Sequence, residues 1–229
     1  MSLRERQTEL IDTHRAVQEA GMPHVLVGGW AVSAFQTRYT TDIDVVIPDT
    51  SLDDYDLLLS ELGYEKHFEK DVSNQYEGRM VQYGKAVGDN AVTFEALVDA
   101  MGCRQTGAEW SYRYLDEHST VEPLSIAENL DGQIPEPALL FAMKLHSGRM
   151  ADTRDLVVLS TRAVFDRVQR HVHRGDPAKL SERIEVVLDR LQQDGFEDSF
   201  KGVFQQQALP SDTISDLVSF LTEQRNRLE

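Results

Sequence analysis

The sequence predicts an α/β protein of the α+β kind, in which a mixed, twisted sheet with flanking helices precedes a helical second half. Three observations support this prediction. Residues 24–48 contain an apolar strand, a glycine pair, a short helix and a second strand. Residues 91–101 alternate apolar and polar side chains, which indicates a strand. A Pro-Glu-Pro segment at 135–137 is followed by segments with helical periodicity.

The first elements lead to the glycine pair. An amphipathic helix is predicted for residues 3–20, and a short apolar strand for residues 25–27. Gly28 and Gly29 follow this strand, and the lack of a β-carbon permits a tight turn and the close approach of another group. Residues 30–35 are then predicted to form a helix.

Two carboxylates lie on the strand predicted for residues 42–47. Asp42 and Asp44 are two residues apart, so they share one face of the strand, while Ile43 and Val45 face the core. Two adjacent carboxylates repel each other, and Mg²⁺, which prefers carboxylate oxygens and substrate phosphates, relieves that repulsion. A solvated aspartate pair at a strand end is the alternative, because the Asp-x-Asp pattern alone is weak.

The whole segment resembles the polymerase-β-like nucleotidyltransferase superfamily. That family's pattern is an apolar strand, Gly-Gly or Gly-Ser, a helix and Asp-apolar-Asp, which Gly28, Gly29, Asp42 and Asp44 match. The Gly-Gly-Trp-Ala segment, followed by Arg and Thr before Asp-Ile-Asp, is similar to two branches. One contains the toxin-type enzymes of abortive-infection and toxin–antitoxin systems (AbiEii type), and the other contains small aminoglycoside or lincosamide nucleotidyltransferases.

The glycine pair also departs from the family pattern. Many members have Ser after the first Gly, where it contacts nucleotide phosphate, whereas this chain has Gly29. Phosphate contacts are therefore expected from backbone N–H groups at the helix N-terminus, with Ser33 or Arg38 as helpers.

The resemblance also implies a third carboxylate, on a strand beside the Asp-x-Asp strand. Glu95 is the best match, and Asp99, farther along the same face, is the second choice. A solvent-facing glutamate on an edge strand is the alternative for Glu95.

The second half contains a further match. Residues 138–147 are nearly all apolar around Lys144, and burying an unpaired ammonium is costly, so a triphosphate is a natural partner. A lysine that reaches water from the helix edge is the alternative. The toxin-type branch has the order Leu-x-x-x-Lys, then Asp-x-x-Asp-Leu, which Lys144, Asp152 and Asp155 match. Asp155 or Asp152 would position the acceptor or Lys144, although Asp152 is also a candidate helix cap.

The composition restricts the environment and the partners. The net charge is −16, with Asp+Glu 39 against Lys+Arg 23, which is typical of salt-adapted proteins and disfavours a long nonspecific nucleic-acid interface. Cys103 is the single cysteine, so a disulfide framework or a cysteine zinc cluster is excluded. No apolar run approaches membrane length, and the N-terminus does not resemble a secretion signal, so a cytoplasmic protein is expected.

Together these observations predict a nucleotidyltransferase catalytic domain over residues 1–134 and a helical domain over 135–229. The expected reaction moves a nucleoside monophosphate from an NTP, such as ATP, to an acceptor, with two Mg²⁺ ions held by Asp42, Asp44 and Glu95. The acceptor is expected to be RNA such as tRNA, a protein or a small molecule, and an antitoxin is a candidate partner. The alternatives are an antibiotic nucleotidyltransferase and a noncatalytic binding module on the same fold.

Overall fold

The computed structural model divides the chain into two compact units. The first contains a five-stranded sheet, and the second is built from helices. The first unit comprises Met1–Gly102 and Trp110–Pro135, and the second comprises Cys103–Glu109 and Glu136–Glu229. The structure describes residues 3–38, 40–71, 78–204 and 211–228.

The sheet of the first unit is mixed. Its strands are β1 (Val25–Leu26), β2 (Asp42–Ile47), β3 (Glu65–Asp71), β4 (Arg79–Val87) and β5 (Asn90–Val98). Their order is β1-β2-β5-β4-β3, with β2 and β5 parallel and the other neighbours antiparallel. The predicted mixed α/β architecture is therefore confirmed. The loose alternation of residues 64–84 predicts strands, and residues 38–41 are predicted to form a polar connection before β2. Residues 72–77 of the first segment and residue 39 of the second lie outside the described residues.

Side-chain burial follows the strand period. On β5, Val92, Phe94, Ala96 and Val98 are buried, and the residues between them are partly exposed. The strand ends at Val98 rather than at residue 101, because Asp99 has a left-handed φ of 67°. That conformation, uncommon outside glycine, interrupts the extended chain.

Helices and a small two-stranded sheet complete the first unit. These elements are α1 (Leu3–Glu19), α2 (Gly28–Ser33), α3 (Leu52–Glu61), α4 (Tyr112–Glu117), β8 (Ser119–Pro123) and β9 (Asp131–Pro135). The helix α1 contacts β4 and β5, and α3 contacts β3. The two-stranded sheet of β6 (Ala100–Cys103) and β7 (Ala108–Ser111) contains two of the points where the chain passes between the units.

The second unit surrounds one buried helix. Its helices are α5 (Pro137–Ser147), α6 (Met150–Ser160), α7 (Phe165–Val172), α8 (Pro177–Leu191), α9 (Phe196–Phe204) and α10 (Ser211–Leu228). Every residue from 138 to 146 is buried, and α5 contacts α6, α7 and α8. Pro137 lies in its first turn, and Gly148 ends it with a φ of 54°. None of the helices in the described ranges is both long and apolar enough to cross a membrane.

The segment between β6 and β7 packs into this helical unit. The Thr106 hydroxyl donates to His146 Nδ1 over 2.7 Å, and the Asp176 amide donates to the Thr106 carbonyl over 2.7 Å. Burial lowers the pKa of His146 to about 4, so this imidazole is neutral near pH 7. Nothing in the local sequence pattern had indicated that residues 103–109 join the helical unit.

Candidate nucleotide and metal site

The glycine pair lies directly against the second carboxylate of β2. Gly28 has a φ of 62°, and a β-carbon placed on it would overlap Oδ2 of Asp44 and lie 2.9 Å from its Cγ. The Val27 amide also donates to the Asp44 carbonyl over 2.9 Å. Only glycine satisfies both the backbone conformation and the space at position 28. The group whose close approach the glycine permits in this structure is thus Asp44.

The second glycine faces the connection that precedes β2. A β-carbon on Gly29 would lie 3.1 Å from Thr40 Cγ2 and 3.4 Å from Arg38 Nη2. The Arg38 guanidinium therefore lies beside the glycine turn. This position places a fixed positive charge where the sequence predicted phosphate groups.

The helix α2, which begins at the glycine pair, contributes to an aromatic cluster. Trp30 is 1% exposed, and its ring lies 5.4 Å from that of His14 in an edge-to-face arrangement. His14 Nε2 donates to the Asp131 carbonyl over 3.1 Å, and burial lowers the pKa of His14 to about 4. The neutral imidazole thus links α1 and β9 to the helix that carries the glycines.

The first carboxylate is held by a threonine two residues earlier. Thr40 Oγ1 lies 2.9 Å from Asp42 Oδ1 and 2.6 Å from the Asp42 carbonyl, and its single proton is shared between these two acceptors. Because Thr40 also contacts the Gly29 region, it connects the glycine turn to Asp42. From the sequence alone, Thr40 is only one residue of the polar connection predicted for 38–41.

The second and third carboxylates are neighbours across two parallel strands. Asp44 on β2 is in register with Glu95 on β5, and Glu95 is in register with Gln82 on β4. Residues in register share a face of a sheet, so these three side chains form one row. Gln82 Nε2 donates to Glu95 Oε1 over 2.6 Å. Gln82 lies in a predicted strand, but its partner across the sheet was not evident from sequence.

The strand register sets Glu95, and not Asp99, directly beside Asp44. Asp99 lies four residues beyond Glu95, about 13 Å along an extended strand. Its carboxylate accepts the Asp49 amide over 2.8 Å, so it fastens the loop that follows β2. Among the described residues, however, the oxygens of Asp42, Asp44 and Glu95 do not all come within 4.8 Å of one another.

The donor set nevertheless fits a magnesium ion. Asp42, Asp44 and Glu95 offer carboxylate oxygens, the ligands that Mg²⁺ prefers, on adjacent strands. Like charges favour separated positions, and Thr40 and Gln82 hold two of the three carboxylates by hydrogen bonds. Asp44 and Glu95 are in register on neighbouring strands, and Asp42 lies two residues before Asp44 on the same face of β2, so the three backbones are close to one another.

Ser33 does not belong to this surface. It is fully buried, and its hydroxyl donates to the Trp30 carbonyl over 2.6 Å within the last turn of α2. A buried hydroxyl with an internal acceptor cannot contact a phosphate in this conformation. The expectation that Ser33 assists phosphate binding is therefore not supported, and Arg38 is the better placed of the two helpers.

The lysine of the helical unit lies in a charge network within that unit. Lys144 is 6% exposed, and its Nζ lies 3.1 Å from Asp152 Oδ1 and 2.8 Å from Asp155 Oδ2. It is buried and paired rather than extended to water from the helix edge. Arg149 Nε also donates to Asp152 Oδ2 over 2.8 Å, and Asp152 in turn accepts the Arg149 amide at the start of α6.

These contacts determine the charge of Asp152. Burial alone would raise the pKa of this carboxyl, but Lys144, Arg149 and Ser147 together lower it to about 2. Asp152 is therefore ionised throughout the neutral range. It is also both the cap that the sequence suggested as an alternative and a partner of Lys144.

Comparison with known proteins finds similar solved structures. No protein-family model and no curated protein sequence matches the chain. The solution structure of the antibiotic-resistance factor ANT(2″)-Ia is 15% identical, with a TM-score of 0.51, over 72% of this chain and 88% of that one. The crystal structure of ANT(2″)-Ia with adenylyl-2″-tobramycin is 14% identical, with a TM-score of 0.52, over 77% and 97%. The lincomycin-bound lincosamide adenylyltransferase LnuA is 13% identical, with a TM-score of 0.49, over 68% and 97%.

The similarity to the two ANT(2″)-Ia structures defines the class of fold. The mixed sheet with its helices is a nucleotidyltransferase fold, as the sequence predicted. Structural similarity at a sequence identity near 15% shows the fold alone, so the chemistry depends on the residues of this chain.

Proposed function

We propose that this protein is a nucleotidyltransferase that moves a nucleoside monophosphate from an NTP to an acceptor and releases pyrophosphate. The observation that carries the proposal is the position of Asp44, which contacts the Gly28 turn and is in register with Glu95 on the parallel neighbouring strand. The glycine turn and the carboxylates of two neighbouring strands thus lie together in one part of the first unit.

The residues of that unit have distinct proposed roles. Asp42, Asp44 and Glu95 would hold Mg²⁺, which supplies charge neutralisation for the triphosphate and activation of the acceptor group. The backbone N–H groups of the turn formed by Gly28 and Gly29 would bind the phosphates, and Arg38 would offset their negative charge.

Lys144 and Asp155 enter the proposal through the resemblance to the toxin-type branch. The Lys144 amine pairs with Asp152 and Asp155, so a triphosphate that binds it would compete with these two carboxylates. Asp155 would then hold or release Lys144 as the nucleotide binds and leaves.

The acceptor class follows from the same resemblances. We infer an RNA or protein acceptor, with an antitoxin as a candidate partner, from the toxin-type pattern. A small-molecule acceptor is the second candidate, because a structure with the same fold contains adenylyl-2″-tobramycin. A labelled-NTP screen against tRNA, protein and aminoglycosides separates these acceptors.

The central test is metal-dependent nucleotide binding by Asp44→Asn. Wild type is expected to bind a nonhydrolysable NTP analogue in a Mg²⁺-dependent manner, and the variant is expected to lose at least tenfold in affinity because a metal ligand is removed. Isothermal titration measures both, and circular dichroism checks folding.

Asp54→Asn serves as the control, since Asp54 is an exposed carboxylate in the first turn of α3. Equal nucleotide affinity for wild type and Asp44→Asn across a Mg²⁺ titration would contradict the catalytic assignment and support the binding-module alternative.

A further inference from the structure

Gln82 is the polar side chain of β4 that faces the proposed metal site. It is in register with Glu95, which is itself in register with Asp44, so it lies at the end of a row across three strands. The row is partly buried, which limits the number of positions that its side chains can adopt.

The contact between Gln82 and Glu95 is short and directional. Gln82 Nε2 donates to Glu95 Oε1 over 2.6 Å, which leaves Oε2 for another partner. A carboxylate held through one oxygen loses rotational freedom while it keeps a metal-binding oxygen. Hydrogen bonds of this kind, made to metal ligands by neighbouring residues, orient those ligands and raise metal affinity.

The charge of the donor also matters. A lysine or arginine at position 82 would fix Glu95 equally well, but its positive charge would compete with a cation for the carboxylate. The glutamine amide is neutral, so it orients Glu95 without reducing the negative charge that attracts Mg²⁺.

We propose that Gln82 is a positioning residue that fixes the carboxylate of Glu95 and thereby sets the affinity of the site for its divalent cation. This inference rests on the proposed function, since it takes Glu95 as a metal ligand. Gln82 acts through Glu95 and has no direct contact with the nucleotide.

The test measures Mn²⁺ binding by calorimetry in the presence of a saturating nonhydrolysable ATP analogue. Gln82→Met keeps the length of the side chain and removes the donor, so the Kd for Mn²⁺ should rise about tenfold. Gln82→Ser, which cannot reach Glu95, should show a similar rise.

A matched control exists elsewhere in the same unit. Gln133 Nε2 donates to Asp116 Oδ1 over 2.6 Å, the same donor, acceptor type and distance, outside the proposed site. Gln133→Met should therefore leave the Kd for Mn²⁺ unchanged. An equal rise in both methionine variants would show that the effect is a general loss of structure and would overturn the inference.

A double-mutant cycle tests whether Gln82 acts through Glu95. Glu95→Gln should weaken Mn²⁺ binding, and adding Gln82→Met to it should cause no further loss. A full tenfold additional loss in the double variant, or an unchanged Kd in Gln82→Met, would overturn the inference while leaving the proposed function intact. If Asp44→Asn also leaves Mn²⁺ binding unchanged, the proposed function fails, and the inference fails with it.

Discussion

Gly28 and Gly21 share a backbone conformation but differ in their surroundings. Their φ angles are 62° and 65°, both in the left-handed region. A β-carbon on Gly21 would have nothing within 4 Å, whereas one on Gly28 would overlap the Asp44 carboxylate. Alanine substitutions at these two glycines can therefore distinguish the free-energy cost of a left-handed alanine from the cost of displacing Asp44.

Gly21→Ala should destabilise the protein by about 1 kcal/mol, the cost of a left-handed alanine. Gly28→Ala should cost more and should also weaken Mg²⁺-dependent NTP binding, because Asp44 must move. Chemical unfolding followed by circular dichroism gives the stabilities, and calorimetry gives the binding. Equal stability and equal NTP affinity of the two variants would show that the Asp44 contact is unimportant.

At the level of elements, the start of α6 depends on an ionised carboxylate. Asp152 is buried, accepts the Arg149 amide and pairs with Lys144. Its pKa is lowered from 3.8 to about 2 in the folded protein. A carboxyl with a lowered folded-state pKa adds stability above its unfolded pKa, and this stability disappears as the pH falls through the folded pKa.

The free energy of unfolding of Asp152→Asn should therefore be below that of wild type by about 2 kcal/mol at pH 7. The difference should begin to shrink below about pH 4 and become small near pH 2, where Asp152 is about half protonated in the folded protein and almost fully protonated in the unfolded chain. Urea unfolding of both proteins at each pH measures it, and the buried histidines cancel in the comparison. A difference that stays constant from pH 7 to pH 2 would refute the assigned pKa.

At the level of the whole molecule, the acidic composition should make stability depend on salt. The net charge is −16, and self-repulsion among exposed carboxylates destabilises the compact state. Salt screens this repulsion over a Debye length of about 3 Å at 1 M.

The melting temperature should therefore rise between low and molar KCl. A variant that combines Asp54→Asn with Glu61→Gln, two exposed positions on α3, should show a smaller rise because fewer charges need screening. Differential scanning calorimetry measures both proteins. A melting temperature that is flat or falls with KCl would remove the inference of salt adaptation.

The sequence by itself determined the local features of this protein. The alternation of residues 91–101 predicted β5, and the apolar run of residues 138–147 predicted the buried α5. Both patterns depend only on residues that are close together in the sequence. The glycine pair and the spacing of Asp42 and Asp44 are likewise local, so the part of the chain that contains the candidate site was found without a structure.

Only the tertiary structure decided which distant residues meet. The parallel pairing of β2 with β5 sets Glu95 beside Asp44, and β4 adds Gln82 to the same row. The burial of Ser33 and the packing of residues 103–109 into the helical unit were also invisible to sequence patterns. Strand neighbours and loop packing depend on contacts between segments far apart in the chain, and a period read within one segment carries no information about which segment lies beside it.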